Sequence, residues 1–204
     1  DLRPWELLKL RVLNGSHTAL ALLGGLAGLE TIAEAARWDE LDRFVEAMTG
    51  REVIPTLPPV ALDPVDYATS VRRRFTNPTI GHRTAQVAED GSQKLPVRIL
   101  PPLAEALRAG GEAARLALVV AAWMTRVSRS ATGGHTLGYP LAEVLVARVR
   151  AAPADPAGLV DALLGVASVF PPDLARLPAL RRLVQRGIES IEQEGAIGAA
   201  ARLT

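Results

Sequence analysis

The chain has 204 residues, enough for one large domain or two small ones with a real core. Its 23 basic and 22 acidic residues leave a net charge of +1, so electrostatics give no case for nucleic acid or an anionic membrane surface as partner. Cysteine is absent, which removes disulfides, thiolate catalysis and cysteine-ligated zinc, and fits a cytoplasmic protein.

No basic–apolar–small signal pattern opens the chain. Alanine and leucine dominate, aromatic residues are 4%, and β-branched alternation is missing almost everywhere. This composition predicts an all-α fold, a single compact domain of about eight to ten helices. The first helix is predicted from about Pro4, at its first turn, to about Leu29. Its later part is apolar all round and belongs in the interior, with glycines that permit close helix contact. Asp39 is placed as N-cap of a helix reaching toward Val53 and stopped by Pro55 and Pro58-Pro59. Asp63-Pro64 and Asn77-Pro78 open helices over about 64–75 and 78–88, a capping side chain before proline in each case. The run Arg72-Arg73-Arg74 reads as a solvated helix face rather than a polyanion site.

Asp90-Gly91-Ser92 is a break, followed by a helix from about Gln93 or Pro96 to Arg108 that ends at Gly110-Gly111. Glu112 to Ser128 is a buried helix, and its nine-residue apolar run Leu116 to Met124 is too short to span a bilayer. Ser128 to Tyr139 reads as the one long loop. Helices at about 140–151, 156–168 and 178–202 complete the chain.

Chemistry concentrates near the start, in Lys9-Leu-Arg-Val-Leu-Asn14-Gly-Ser-His17. At about 100° per residue Lys9, Asn14 and His17 point at roughly 0°, 140° and 80°, one broad face of a helix. A lysine can take the proton of an alcohol where arginine cannot, and an amide can stabilise the oxygen left behind. Lys9 is the only lysine among the first 93 residues. Spacing alone leaves open a structural reading, a solvated lysine with a packing asparagine and histidine.

The same stretch resembles the KxxxxNxxH signature of the polyol-specific long-chain dehydrogenases, the mannitol dehydrogenase and fructuronate reductase family. A second block, His82-Arg-Thr-Ala-Gln86-Val-Ala-Glu-Asp90-Gly-Ser-Gln-Lys94-Leu-Pro96, resembles the family's HRTxQxAxDGSQKLP segment. Weaker similarity continues at Ala122-Trp-Met124 and at Gly165-Val-Ala-Ser-Val-Phe-Pro-Pro-Asp-Leu174. The resemblance implies that residues 1–204 form a C-terminal substrate-binding and catalytic domain, all-α and similar to that of 6-phosphogluconate dehydrogenase. It implies Lys9 as acid/base, Asn14 in the oxyanion hole and His17 on substrate hydroxyls. Lys94, His82 and Arg83 would bind substrate, and Glu6 would stand beside the proton path. Three of these have plain alternatives: Glu6 as a first-turn glutamate favoured by the helix dipole, Lys94 as a solvated lysine at a helix start, and Arg83 as the partner of an acidic neighbour. Gln86 fits the uronate-reductase version of the block, whereas Tyr139-Pro140 departs from an expected Asp-Pro after the long loop.

Family members bind NAD(H) or NADP(H) on an N-terminal Rossmann domain, which is absent from this chain. Gly24-Gly25-Leu-Ala-Gly28 lacks the G-x-G-x-x-G spacing and follows no predicted strand, so it reads as helix packing. Three histidines at 17, 82 and 135 give no metal-ligand spacing, in keeping with a metal-independent family. The expectation is an oxidoreductase interconverting a polyol or hexuronate with its ketone, mannitol/fructose or mannonate/fructuronate. Its partners would be the sugar and the Rossmann domain, with neither nucleic acid nor membrane. The alternative is a helical interaction or dimerisation module that keeps the fold without the catalysis.

Overall fold

The structure, a computed structural model, describes residues 2–133, 137–138 and 141–204. His135 and Tyr139-Pro140, both considered above, lie outside these residues. Among them the chain is all-helical, with a single isolated bridge between Thr31 and Arg83 in place of any strand.

The first helix is one rod in three parts: α1 (Arg3–Leu8), a π-helical segment (Lys9–Asn14) and α2 (Gly15–Leu26). It stops three residues short of Leu29. α3 (Ile32–Arg37) starts at a capping box, where the Thr31 side chain accepts from the Glu34 amide and the Glu34 carboxylate from the Thr31 amide. α4 (Asp39–Met48) begins at Asp39, with Trp38 rather than Asp39 in the cap position. Three acidic residues in its first turn suit the helix dipole. A second π segment (Thr49–Val53) and a 3₁₀ turn (Ile54–Thr56) carry the chain past Val53.

α5 (Pro64–Phe75) has the predicted cap, Asp63 accepting from the Val65 and Asp66 amides. The helix predicted over 78–88 is instead two pieces. Asn77 caps only a 3₁₀ turn (Pro78–Ile80), which Gly81 ends at φ +62° before α6 (Thr84–Ala88). Between them the backbone bonds sideways: Ile32 N–H to His82 O at 2.9 Å and Thr84 N–H to Glu30 O at 2.9 Å. The helix predicted to reach Arg108 is also two, α7 (Gly91–Arg98) and α8 (Leu100–Arg108), because Pro101 and Pro102 cannot donate backward into α7.

α9 (Ala114–Ala131) is the central buried helix, and it extends three residues into the predicted loop. α10 (Ala142–Ala151), α11 (Pro156–Leu164), the unpredicted short α12 (Pro172–Ala175) and α13 (Pro178–Ala201, kinked at Gly195) follow. α13, α10 and α2 pack on α9. The start of α9 has no capping side chain of its own. Glu52 supplies one from the second π segment, accepting from the Arg115 and Leu116 amides at 2.9 and 2.8 Å and from Arg115 Nη1 at 3.1 Å. No helix among the described residues is long and apolar enough to cross a membrane.

The weaker sequence similarities have a packing origin. The buried Trp123 ring lies 5.9 Å from that of Phe170, and its indole sits on Gly91, where a Cβ would come within 2.4 Å. The Ala122–Met124 and Gly165–Leu174 stretches and the Asp90-Gly91 step thus meet at one indole. That contact seats α7, which carries Lys94.

Candidate functional site

Lys9 and Asn14 are the first and last residues of the π segment. In a π turn the N–H bonds five residues back, as Gly15 N–H does to Leu10 O. Residues five apart therefore stack as residues four apart do in an α-helix. The α-helical expectation separated Lys9 and Asn14 by roughly 140°; the wider turn brings them onto the same side of the rod. Lys9 is exposed and Asn14 half-buried. Glu6, also exposed, precedes Lys9 by one turn.

The wide turn is held from its inner side. Arg11, 6% exposed, makes a two-pronged pair with Glu105 at 2.7 and 2.7 Å. Its Nη1 also donates to the Thr56 carbonyl at 2.7 Å and hydroxyl at 2.9 Å. α7 and α5 pack against the same segment.

His17 is three residues on, half-buried in α2. Its ring stacks on Phe75 at 5.2 Å and 13°, and lies 5.3 Å from the tilted ring of His82. The sideways backbone bonds of residues 82 and 84 hold His82 there. Burial first, then His82, Arg98 and Lys94, lower the His17 pKa from 6.5 to about 4. His17 is therefore a neutral imidazole at neutral pH, able to donate from one nitrogen and accept at the other. Its Nε2 is buried with no hydrogen-bond partner among the described residues.

Lys94 reaches this group from α7. Its Nζ donates to Val87 O at 3.0 Å and Glu89 O at 2.8 Å, two of its three protons. Burial, then the charge of Arg98, lower its pKa. Asp90, which precedes α7, holds the left-handed conformation at φ 54°. The DGSQK stretch is thus a strained turn that starts a helix and a lysine that ties back to it.

The structure therefore brings His82, from the stretch before α6, against His17 on the rod that also carries Lys9, Asn14 and Glu6, with Lys94 on α7 near enough for its charge to act on His17. Arg83 is not in this group: it is exposed and faces Glu30 at 3.5 Å, the acidic-neighbour arrangement considered above. Gln86 is exposed on α6. Sequence reasoning missed Phe75, Thr18 and Arg98. Thr18 donates to Asn14 O at 2.9 Å, and Arg98 Nη1 donates to the Thr18 hydroxyl at 3.2 Å. Arg98 lies one turn beyond Lys94, a spacing that could have flagged it.

A cleft of about 660 Å³ lies around Arg11, Thr56 and Glu105, away from Lys9, Asn14, His17, His82 and Lys94. Lys9 and His82 are exposed and Asn14, His17 and Lys94 half-buried, so the group faces solvent on an open side of the domain. Gly24 and Gly25 lie inside α2, where a Cβ on Gly24 would be 2.8 Å from that of Ala35, so the glycines serve helix contact. Among the described residues no cluster of three acidic, histidine or cysteine side chains could hold a metal ion.

Residues 1–192 match the family model of the mannitol dehydrogenase C-terminal domain. The chain is 37% identical over 206 residues to D-mannonate oxidoreductase of Escherichia coli K12, covering 100% of this chain and 42% of that protein. It is 34% identical to mannitol 2-dehydrogenase of Aspergillus terreus, covering 96% of this chain and 39% of the relative. Among solved structures it superposes on Pseudomonas fluorescens mannitol 2-dehydrogenase, in a ternary complex with NAD and D-mannitol, with a TM-score of 0.91 and 30% identity over 100% of this chain and 41% of that one. The chain thus spans about two fifths of the length of the relatives it matches.

Proposed function

The chain belongs to the mannitol dehydrogenase C-terminal domain family, and from that premise we propose that it is the substrate-binding and acid/base half of an NAD(P)-dependent polyol or hexuronate dehydrogenase. The observation that carries this reading is the His17–His82 ring contact, with the charge of Lys94 acting on His17, beside a π turn that has Lys9 and Asn14 at its two ends. A packing role for the two sequence blocks does not require their polar side chains to meet on an open face.

In alcohol oxidation the Lys9 amine takes the hydroxyl proton. The Asn14 amide donates to the same oxygen as it gains charge and becomes a carbonyl. Neutral His17 donates to or accepts from a neighbouring hydroxyl, and the remaining Lys94 proton holds another. In the reverse direction Lys9 returns the proton to the carbonyl oxygen. Glu6, one turn before Lys9, connects that amine to solvent. The nicotinamide supplies the hydride acceptor or donor, and the binding domain for it lies outside these residues. The open face suits this division, because a second domain completes the cavity and excludes water.

Asn14→Ala and Lys9→Ala in the complete enzyme test the reading. Each lowers kcat, Lys9→Ala by roughly 10²–10⁴-fold, while NADH affinity stays unchanged. Full turnover in Lys9→Ala overturns the assignment of Lys9, and no turnover of any polyol or aldonate by the unmutated enzyme favours a helical interaction module.

A further inference from the structure

Arg11, Arg72 and Arg115 each meet a carboxylate: Glu105; Asp42 and Glu46; Glu52 and Glu112. Arg98 is the contrast. It is half-buried, its one hydrogen bond among the described residues goes to the neutral hydroxyl of Thr18 at 3.2 Å, and its Nε is buried with no acceptor among them. It makes no ion pair among the described residues, and burial holds its pKa below the usual arginine range. Lys94 lies one turn before it on α7, so two cations share one helix face at a spacing where like charges repel. Asp90 and Glu89 offset the charge of Lys94. Both cations act on His17. An uncompensated guanidinium costs stability when water is withdrawn from it. That cost is recovered if an anion arrives with the ligand.

We propose that Arg98, with Lys94 beside it, receives a terminal anionic group of the sugar chain, and that this pair sets a preference for sugar acids over neutral polyols. The inference rests on the dehydrogenase reading for its substrate frame. The guanidinium fork suits a planar carboxylate, accepting on two oxygens, and a phosphate ester presents the same chemistry. Arg98 also supports Asn14 through Thr18, so a purely structural role must be separated from recognition.

The test uses the complete enzyme with R98Q and the charge-retaining R98K, titrated calorimetrically with D-mannonate, D-mannitol 1-phosphate and D-mannitol, with turnover as a second readout. In R98Q the affinity for the preferred anion falls roughly 10- to 100-fold, whereas mannitol affinity falls far less, by only what Arg98 contributes through Thr18 and Asn14. R98K recovers part of the loss. The two anionic probes in the wild type tell carboxylate from phosphate. Equal losses on mannonate, mannitol 1-phosphate and mannitol, or no loss on any, overturn the inference. Anion-selective binding without oxidation of any probe upholds the anion pair and overturns the dehydrogenase reading.

Discussion

Gly91→Ala tests how the interior seats the site. A Cβ on Gly91 would meet Trp123 Cδ1 and Nε1, both at 2.4 Å, against an ordinary van der Waals contact of about 3.4–4 Å. The indole is 1% exposed and held on another side by Phe170, so it cannot swing aside. Overpacking of this kind costs about 1–3 kcal/mol, and the rigid ring puts the site at the upper end. Helix propensity returns roughly 0.5–1 kcal/mol, since alanine is the better helix former. The balance is a loss of about 2 kcal/mol. For a domain of this size that lowers the melting temperature by roughly 4–8 °C. Thermal unfolding followed by circular dichroism reads the shift. A Gly91→Ala/Trp123→Leu double variant should lose less than the sum of the single variants, because leucine makes room for the methyl. An unchanged or raised melting temperature in Gly91→Ala would refute the steric argument. It would also remove the stated reason for the position of α7.

His17 carries a pH signature. Its folded pKa of about 4 lies below the unfolded 6.5, so unfolding takes up a proton between the two; its contribution is present above pH 6.5 and is lost as pH falls toward 4. The ceiling is about 3 kcal/mol from 1.36 kcal/mol per unit, and solvent at the part-exposed ring reduces it. His17→Gln should flatten that part of the stability–pH curve; parallel curves for the two proteins would contradict it. Arg11→Met removes the clamp on the π segment and should cost about 2–4 kcal/mol in urea unfolding, since the partner groups of a buried cation lose their bonds. Its kcat should fall more than its substrate KM rises, because the clamp positions Lys9 and Asn14 rather than touching substrate. The chain alone should fold yet show no heat of binding with NADH.

Much of this architecture can be read from local sequence. Asp63 before Pro64 marks a helix start whose cap needs only its own neighbours, and the alanine- and leucine-rich 116–124 stretch could only be interior. Errors arise where a distant group decides. The 78–88 segment breaks at Gly81 because the backbone at 82–84 bonds to residues 30–32, a partner fifty positions away. Glu52 caps α9 from across the fold, a cap that no local motif announces. At the site, the residue types of the two blocks were legible and their mutual placement was not. The π turn escapes a 3.6-residue reading, although a five-residue spacing between two polar side chains on one helix is the mark it leaves. Arg98 escaped because an arginine ending a helix is ordinarily solvated; its spacing from Lys94 was legible, but its lack of a carboxylate partner shows only in the fold.

The most direct test of the central claim is chemical rescue of Lys9→Ala. In the complete enzyme, polyol or aldonate oxidation by the variant should be slower by roughly 10²–10⁴-fold, and added ethylamine should restore part of the rate in proportion to its free-base concentration. NADH affinity should not change. Wild-type turnover in the variant, or a slow rate that no small amine improves, would contradict Lys9 as the group that moves the proton.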